Sequence, residues 1–237
     1  MDVEIEERKE WTKIRKKLNQ EYKYDKTWSD AISLFDKRLK RKFFDPIQVL
    51  INGNALKGEG FTIVTVQCAL IEMLAAFRNG KIFNHHKTST SPKYEYKESQ
   101  KMFTSLLRTA SIFENNFWVL NKNNKKVIDK PYSSSEFYSN VRCGLMHEAR
   151  TKENWYITAT PSTKSVKTEK KFIITEDGKI KIYRTVLHHR LLDYLSEYES
   201  ELRIDSKESE VLRKYFARKL DHLFDFNRDQ EFDWWKE

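Results

Sequence analysis

The stretch FTIVTVQCALIEMLAAF, residues 61–77, decides the fold expected for this chain. It is apolar around most of a helical circumference, which is typical of a helix that is packed on several sides. Asn79-Gly80 follows it and favours a helix end. The run contains Gln67 and Glu72 and is shorter than a comfortable membrane span. We therefore expect a buried central helix and no membrane association.

Helical spacing of apolar residues continues on both sides of this run. Residues 4–42 are helical in pattern, with a break near residues 24–28, and Phe43-Phe44-Asp45-Pro46 is expected to end the segment. Residues 100–117 repeat apolar side chains at helical spacing, and a polar loop over residues 121–130 follows. Ser133, three positions before Glu136, forms a capping-box pattern and predicts the start of another helix.

The pattern changes after residue 151. Residues 155–160, 171–175 and 179–184 are strand-like, and Asp177-Gly178 between the last two runs is a strong hairpin signal. Residues 185–203 and 206–226 return to helical spacing. The sequence predicts a mainly α fold, a helical bundle in one domain over residues 1–237. A small β-hairpin element is inserted at about 154–185, and two closing helices occupy about 186–226.

The chain is basic, with a formal charge of +9. Residues 8–42 carry thirteen Lys or Arg against five Asp or Glu, and a further basic span covers residues 164–184. Such charge suits an anionic partner, and we expect RNA, with Lys37, Arg38, Arg41 and Lys42 contacting its phosphates. A solvated lysine-rich surface is the alternative reading of the same residues.

Cysteine and histidine spacing does not indicate a metal site. Cys68 and Cys143 lie in apolar helical patterns without a zinc-type spacing, and the adjacent pairs His85-His86 and His188-His189 point apart on a helix or loop. We expect free thiols, no metal and no cofactor. Free thiols and a charged N-terminus without a signal-peptide core favour a cytoplasmic protein.

The segment NVRCGLMHE, residues 140–148, carries the candidate chemistry. Arg142 is a permanent cation with a fork that fits phosphate oxygens, and His147 can exchange protons near neutral pH. On an ideal helix they lie roughly 140° apart, so they would border a cleft rather than form one tight pair. Gly144 lets another backbone approach closely, which suits a site completed by a second copy of the helix.

Each of these residues also has a structural alternative. Arg142 could pair with a carboxylate such as Glu72 or Glu148, and Glu72 inside an apolar helix itself needs a partner. His147 could be a residue placed favourably at a helix C-terminus. Cys143 fits a packed thiol better than a nucleophile.

Arg142-x4-His147, late on a helix in a mostly helical chain, resembles the R-x4-6-H motif of HEPN domains. The longer string FYSNVRCGLMHE, residues 137–148, and the preceding order of helices strengthen the resemblance, which is carried by residues 1–150. It implies metal-independent RNA cleavage of the bacterial toxin or antiphage-defence type by a homodimer with a shared cleft. It also implies a possible antitoxin or defence-system partner protein.

In that resemblance Arg142 would neutralise the phosphate as charge builds, and His147 would act as general base or acid. The products would be a 2′,3′-cyclic phosphate and a 5′-hydroxyl. Many active members have a polar residue directly after the arginine, where this chain has Cys143. The alternative is therefore a non-catalytic HEPN dimer that acts as a nucleic-acid- or protein-binding regulatory module.

Overall fold

The computed structural model describes residues 3–53, 58–159, 171–226 and 231–236. The described chain is mainly helical, as the sequence predicts. Its α-helices are α1 (Val3–Arg15), α2 (Lys26–Leu39), α3 (Asp45–Gly53), α4 (Glu59–Arg78), α5 (Ser99–Thr109), α6 (Ser134–Phe137), α7 (Gly144–Glu148), α8 (Arg184–Arg203) and α9 (Lys207–Leu223). Two π-helices cover Lys40–Phe44 and Tyr138–Cys143, and two 3-10 helices cover Ser111–Phe113 and Asp233–Trp235.

The strands are short and form three small sheets. They are β1 (Ile82–Phe83), β2 (Glu95–Tyr96), β3 (Trp118–Leu120), β4 (Lys126–Ile128), β5 (Trp155–Thr158), β6 (Ile173–Glu176) and β7 (Lys179–Tyr183). β1 pairs with β2 in parallel, β3 pairs with β4 in antiparallel, and the last three strands lie in the order β5-β7-β6.

The fold divides into two compact units, each assembled from separate segments of the chain. Unit 1 contains residues 1–41, 74–99 and 195–237, and unit 2 contains residues 42–73 and 100–194. The single helical domain expected from the sequence stays a prediction.

Unit 1 is organised around aromatic rings and one buried carboxylate. Phe35 packs on Phe77 with 4.5 Å between ring centroids. Asp221 is fully buried, and Arg15 donates to both of its oxygens. The indole nitrogens of Trp11, Trp234 and Trp235 donate to the same carboxylate at 2.8–2.9 Å. A buried carboxylate is tolerated here because its oxygens are fully hydrogen-bonded.

Unit 2 has its own aromatic core. The rings of Phe113, Phe117, Phe137 and Phe172 lie within about 6.4 Å of one another in successive edge or tilted contacts. Each of these side chains is completely buried. The core therefore joins the segment before β3, the end of α6 and the residue preceding β6.

The predicted β element exists, but it is more than a hairpin. β6 and β7 are antiparallel around Asp177-Gly178, whose φ angles of 50° and 70° fit the tight turn expected for Asp-Gly. β5 pairs with β7 in parallel, so the sheet is mixed. Residues 160–170, which include the end of one predicted strand and part of the basic span, lie outside the described residues.

Two expected boundaries are wrong. The segment at Phe43-Phe44-Asp45-Pro46 does not end the helix, because the first π-helix leads directly into α3. Pro46 lies at the second position of α3, directly after the π-helix, and proline has no backbone N–H to donate to a carbonyl of the preceding turn. The helix expected over residues 100–117 ends at Thr109, and β3 and β4 form a hairpin where a loop was expected.

Helix α4 is the central helix that the sequence predicts. It runs from Glu59 to Arg78 and ends at Gly80, which has a left-handed φ of 57°. It is the one helix among the described residues that is long and apolar enough to cross a membrane, but 61% of its apolar window is buried in the protein. A buried core helix passes the same test, so this is weak evidence for a membrane span.

Candidate functional site

The second π-helix is the local feature that positions Arg142. Ser133 caps the segment by accepting a hydrogen bond from the backbone N–H of Glu136, as predicted. After one turn of α6 the chain becomes π-helical over Tyr138–Cys143 and returns to α-helix at Gly144. Such π-turns are rare and are frequent at functional sites. The angle of roughly 140° expected between Arg142 and His147 assumed an uninterrupted α-helix and does not apply here.

Backbone hydrogen bonds from outside the helix accompany this π-turn. The carbonyl of Asn140, which an α-helix would pair with the N–H of Gly144, accepts from the N–H of Lys152 at 2.9 Å. The N–H of Gly144 donates instead to the carbonyl of Val141. The helix then ends at Ala149, whose left-handed φ of 52° turns the chain back toward the π-turn.

Gly144 makes room for this returning chain. A Cβ atom at Gly144 would lie 2.5 Å from the carbonyl oxygen of Arg150, closer than two such atoms can approach. The backbone that approaches Gly144 therefore belongs to the same chain. The small residue gives no support for the close approach of a second copy.

Arg142 lies in a polar cluster of unit 2. Its Nη2 atom is 3.4 Å from Oε2 of Glu72, and the side chains are 22% and 17% exposed. Its guanidinium also lies 5.3 Å from the centre of the Tyr138 ring. Burial acts to lower the pKa of Arg142, but Tyr138, Glu72 and Cys143 together outweigh it and raise the pKa. Of the two carboxylates considered for Arg142, the structure selects Glu72, because Glu148 pairs with Lys152 and Arg150.

The two cysteines lie beside this cluster and do not form a disulfide. Cys68 is buried, and burial raises the pKa of its thiol to about 12. It is therefore a neutral packed thiol and not a nucleophile. Cys143 is half-buried, and its side chain interacts with those of Arg142 and Tyr138.

His147 is exposed in the last turn of α7. Within the described ranges the structure records no hydrogen bond or ion pair for its side chain. An exposed imidazole can transfer a proton to or from a bound ligand. The same position near a helix C-terminus also suits a purely structural histidine.

The basic residues proposed to bind substrate have different environments. Arg38 and Arg41 both contact Glu7, and Arg38 also lies 3.6 Å from Glu4. Their charges therefore serve in part to join α1 to the end of α2. Lys37 is exposed in unit 1, whereas Lys42 is half-buried in unit 2.

A second buried polar cluster in unit 2 was not singled out from the sequence. Arg184 pairs with Glu59, and Nε2 of Gln67 donates to the Arg184 carbonyl at 2.8 Å. His188, one turn further along α8, is 1% exposed, and burial with the neighbouring His189 lowers its pKa to about 4. In the described part of the chain no group of three His, Cys, Asp or Glu side chains could hold a metal ion.

Comparison of the chain with protein-family models, with curated proteins and with solved structures gives no match.

Proposed function

We propose that this protein is a metal-independent endoribonuclease in which Arg142 and His147 act on one phosphodiester. One observation carries the proposal. Arg142 lies in a π-turn, has a single long ion pair with Glu72, and precedes the exposed His147 by five residues. A guanidinium has five N–H donors, and the contact with Glu72 at 3.4 Å engages one side of the fork. The raised pKa of Arg142 keeps it charged at every physiological pH.

In this proposal Arg142 binds the scissile phosphate and stabilises the negative charge that develops on its oxygens. His147 removes the proton of the ribose 2′-hydroxyl or donates a proton to the departing 5′-oxygen. The 2′-oxygen attacks phosphorus, the bond to the 5′-oxygen breaks, and the products are a 2′,3′-cyclic phosphate and a 5′-hydroxyl. A homodimer would supply the second Arg142–His147 pair, and the basic surface would attract the RNA.

A second candidate function is a non-catalytic module that binds nucleic acid or protein. Cys143 directly after Arg142 and the Arg142–Glu72 pair favour it. In that case Arg142 stabilises the helix and His147 is a surface residue.

The test is incubation of the purified protein with total RNA and transfer RNA in EDTA. Arg142→Ala and His147→Ala are compared with His189→Ala, which removes an exposed histidine from the same unit. If the protein is the proposed enzyme, cleavage should be lost in Arg142→Ala and His147→Ala and retained in His189→Ala. The circular dichroism spectra of all three variants should match that of the unsubstituted protein. Products should carry a cyclic phosphate. Equal activity in all variants indicates a contaminating nuclease, and no cleavage by any form favours the module.

A further inference from the structure

The β3–β4 hairpin of unit 2 carries a concentration of positive charge. Residues 115–128 contain three lysines and no Asp or Glu, and Lys130 follows two residues after β4. Lys122, Lys125 and Lys130 are exposed. Within the described ranges the structure records no hydrogen bond or ion pair for the ammonium groups of these three lysines. Such a group of cations attracts an anionic partner.

The tip of the hairpin has a fixed conformation. The backbone N–H of Asn121 donates to the carbonyl of Lys125, and the N–H of Asn124 donates to the carbonyl of Asn121, both at 2.9 Å. The side-chain oxygen of Asn121 accepts from the N–H groups of Asn123 and Lys125, also at 2.9 Å. Asn124 has a left-handed φ of 53°, which asparagine tolerates better than most residues. The lysines of the tip are therefore presented on a closed turn, which reduces the entropy lost when a partner binds.

The strands of the hairpin are anchored to the chain that precedes them. Nε1 of Trp118 donates to the carbonyl of Ala110 at 3.0 Å. The ammonium group of Lys126 lies 3.8 Å from the centre of the Trp118 ring and donates to the carbonyl of Thr109 at 3.2 Å. Lys126 therefore fixes the hairpin in place, and the cations at the tip have a different role.

Asp129 connects the hairpin with α5 and α6. It follows β4 directly and accepts from Nε and Nη2 of Arg108, near the end of α5. It also accepts from the backbone N–H of Ser134, the first residue of α6. After one turn α6 passes into the π-turn that positions Arg142. The basic hairpin and Arg142 therefore belong to one hydrogen-bonded framework within unit 2.

The side chains of the tip suit a nucleic acid better than a membrane surface. Residues 121–125 are Asn-Lys-Asn-Asn-Lys, and none of them is apolar. Insertion into a lipid surface depends on buried apolar area, but the exposed Leu120 and Ile128 lie on the strands and not at the tip. Lysine ammonium groups bind phosphates, and the exposed amides of Asn123 and Asn124 can hydrogen-bond to base edges.

We propose that the β3–β4 hairpin is an RNA-binding arm, with Lys122 and Lys125 on phosphates and the amides of the tip asparagines against bases. In naming RNA as the partner, this inference rests on the proposed ribonuclease function. The arm holds the strand from the same unit that contains Arg142 and His147. None of the basic residues expected from the sequence to contact the substrate lies in this hairpin.

The test is a fluorescence-anisotropy titration of a single-stranded oligoribonucleotide with the full chain at several salt concentrations. The RNA carries 2′-O-methyl groups, so it lacks the nucleophile of the proposed reaction and stays intact during the measurement. Each lysine–phosphate contact with a single strand contributes about 0.7 to the slope of log K against log salt concentration. Lys122→Ala/Lys125→Ala should therefore reduce this slope by about 1.4 and weaken binding by about tenfold or more.

Two control variants separate the role of the hairpin from that of total charge. Lys97→Ala/Lys207→Ala removes two exposed lysines of unit 1 and should leave the affinity and the salt dependence unchanged. Lys122→Arg/Lys125→Arg keeps both charges at the tip and should bind RNA as the unsubstituted chain does. The melting temperature of every variant should match that of the unsubstituted protein.

Three results overturn the proposal. They are no RNA binding by the unsubstituted chain, undiminished binding by Lys122→Ala/Lys125→Ala, and an equal loss in this variant and in Lys97→Ala/Lys207→Ala. Sedimentation with phosphatidylserine vesicles that depends on Lys122 and Lys125, with RNA binding unchanged, overturns it in favour of a membrane surface.

Cleavage of unmodified RNA is measured separately, so the arm and the enzyme can fail independently. Binding that depends on the hairpin, without cleavage by any form, supports the arm and contradicts the proposed ribonuclease function. Cleavage that depends on Arg142, with binding that does not depend on the hairpin, overturns the arm and leaves the ribonuclease function standing.

Discussion

Nη2 of Arg142 lies 3.4 Å from Oε2 of Glu72, and both side chains remain partly accessible to solvent. A charge-assisted hydrogen bond between such groups is typically about 2.7–2.9 Å long. The longer contact means that Glu72 orients the guanidinium without holding all of its donors. Under the proposed function, the donors of Arg142 that Glu72 does not engage would bind the phosphate.

The first prediction concerns the strength of this pair. In a double-mutant cycle of Arg142→Gln and Glu72→Gln, the coupling measured by urea unfolding should be below about 1 kcal/mol, because the 3.4 Å contact is long and both side chains are partly accessible to solvent. A weak coupling would mean that the pair contributes little to stability, as expected if the guanidinium binds a ligand. A coupling of 2 kcal/mol or more, on the scale of strongly coupled pairs, would identify a structural ion pair.

The second prediction concerns Gly144. Gly144→Ala places a methyl group 2.5 Å from the Arg150 carbonyl, so the returning chain must move. We expect a loss of about 1–3 kcal/mol in the free energy of unfolding. The π-turn should also rearrange, because Lys152 can no longer reach Asn140. Gly53→Ala in α3 is the control: nothing lies within 4 Å, and the change should be neutral or slightly stabilising.

The third prediction concerns the buried carboxylate of unit 1. Asp221→Ala leaves Arg15 and three indole N–H groups without their acceptor. We expect the free energy of unfolding to fall by about 3–5 kcal/mol, the usual effect of breaking a buried ion pair. The control is Asp30→Asn, which removes a carboxylate from an exposed pair with Lys26. It should lower the free energy of unfolding by less than about 1 kcal/mol. Similar losses in the two variants would contradict the role given to Asp221.

The fourth prediction is a pH dependence at Lys219. This lysine is 8% exposed beside Phe77, and burial lowers its pKa from 10.5 to about 8. Below pH 8 Lys219 is protonated in both the folded and the unfolded chain, and its buried charge lowers the free energy of unfolding by the full amount. This destabilisation disappears as the pH rises from 8 to 10.5.

Lys219→Met should therefore stabilise the protein at pH 7 by up to about 3 kcal/mol, since each pKa unit corresponds to about 1.4 kcal/mol. The difference from the unsubstituted chain should shrink between pH 8 and 10.5. Lys207→Met, at an exposed position of the same helix, should show neither effect. A stability difference independent of pH would show that Lys219 has the same pKa in the folded and unfolded chains, and would contradict the prediction.

Local patterns in the sequence correctly predict several elements. The apolar run predicts α4, Asp177-Gly178 predicts the β6–β7 turn, and Ser133 predicts the start of α6. Glu72 was recognised as a carboxylate that needs a partner, and Arg142 is that partner. These features depend on residues close in sequence or on one strong physical requirement.

Other features depend on contacts that the sequence pattern does not reveal. The π-turn coincides with a bond from Lys152 to a carbonyl twelve residues earlier, and the β5–β7 pairing joins strands separated by the β6 segment. The β3–β4 hairpin did have a local signal, because Asn121 accepts from Asn123 and Lys125 and Asn124 has a left-handed φ.

The hydrogen bond between Trp11 and Asp221 spans 210 residues. During synthesis Trp11 leaves the ribosome long before its acceptor exists, and the tryptophans at 234 and 235 arrive later still. Unit 2 contains no residue beyond 194, whereas unit 1 is incomplete until α9 has been made. The first helix can contact α2 early, but Trp11 and Arg15 lack their acceptor until Asp221 has been translated. For this interval α1 is a natural binding site for chaperones and the part of the nascent chain most exposed to aggregation.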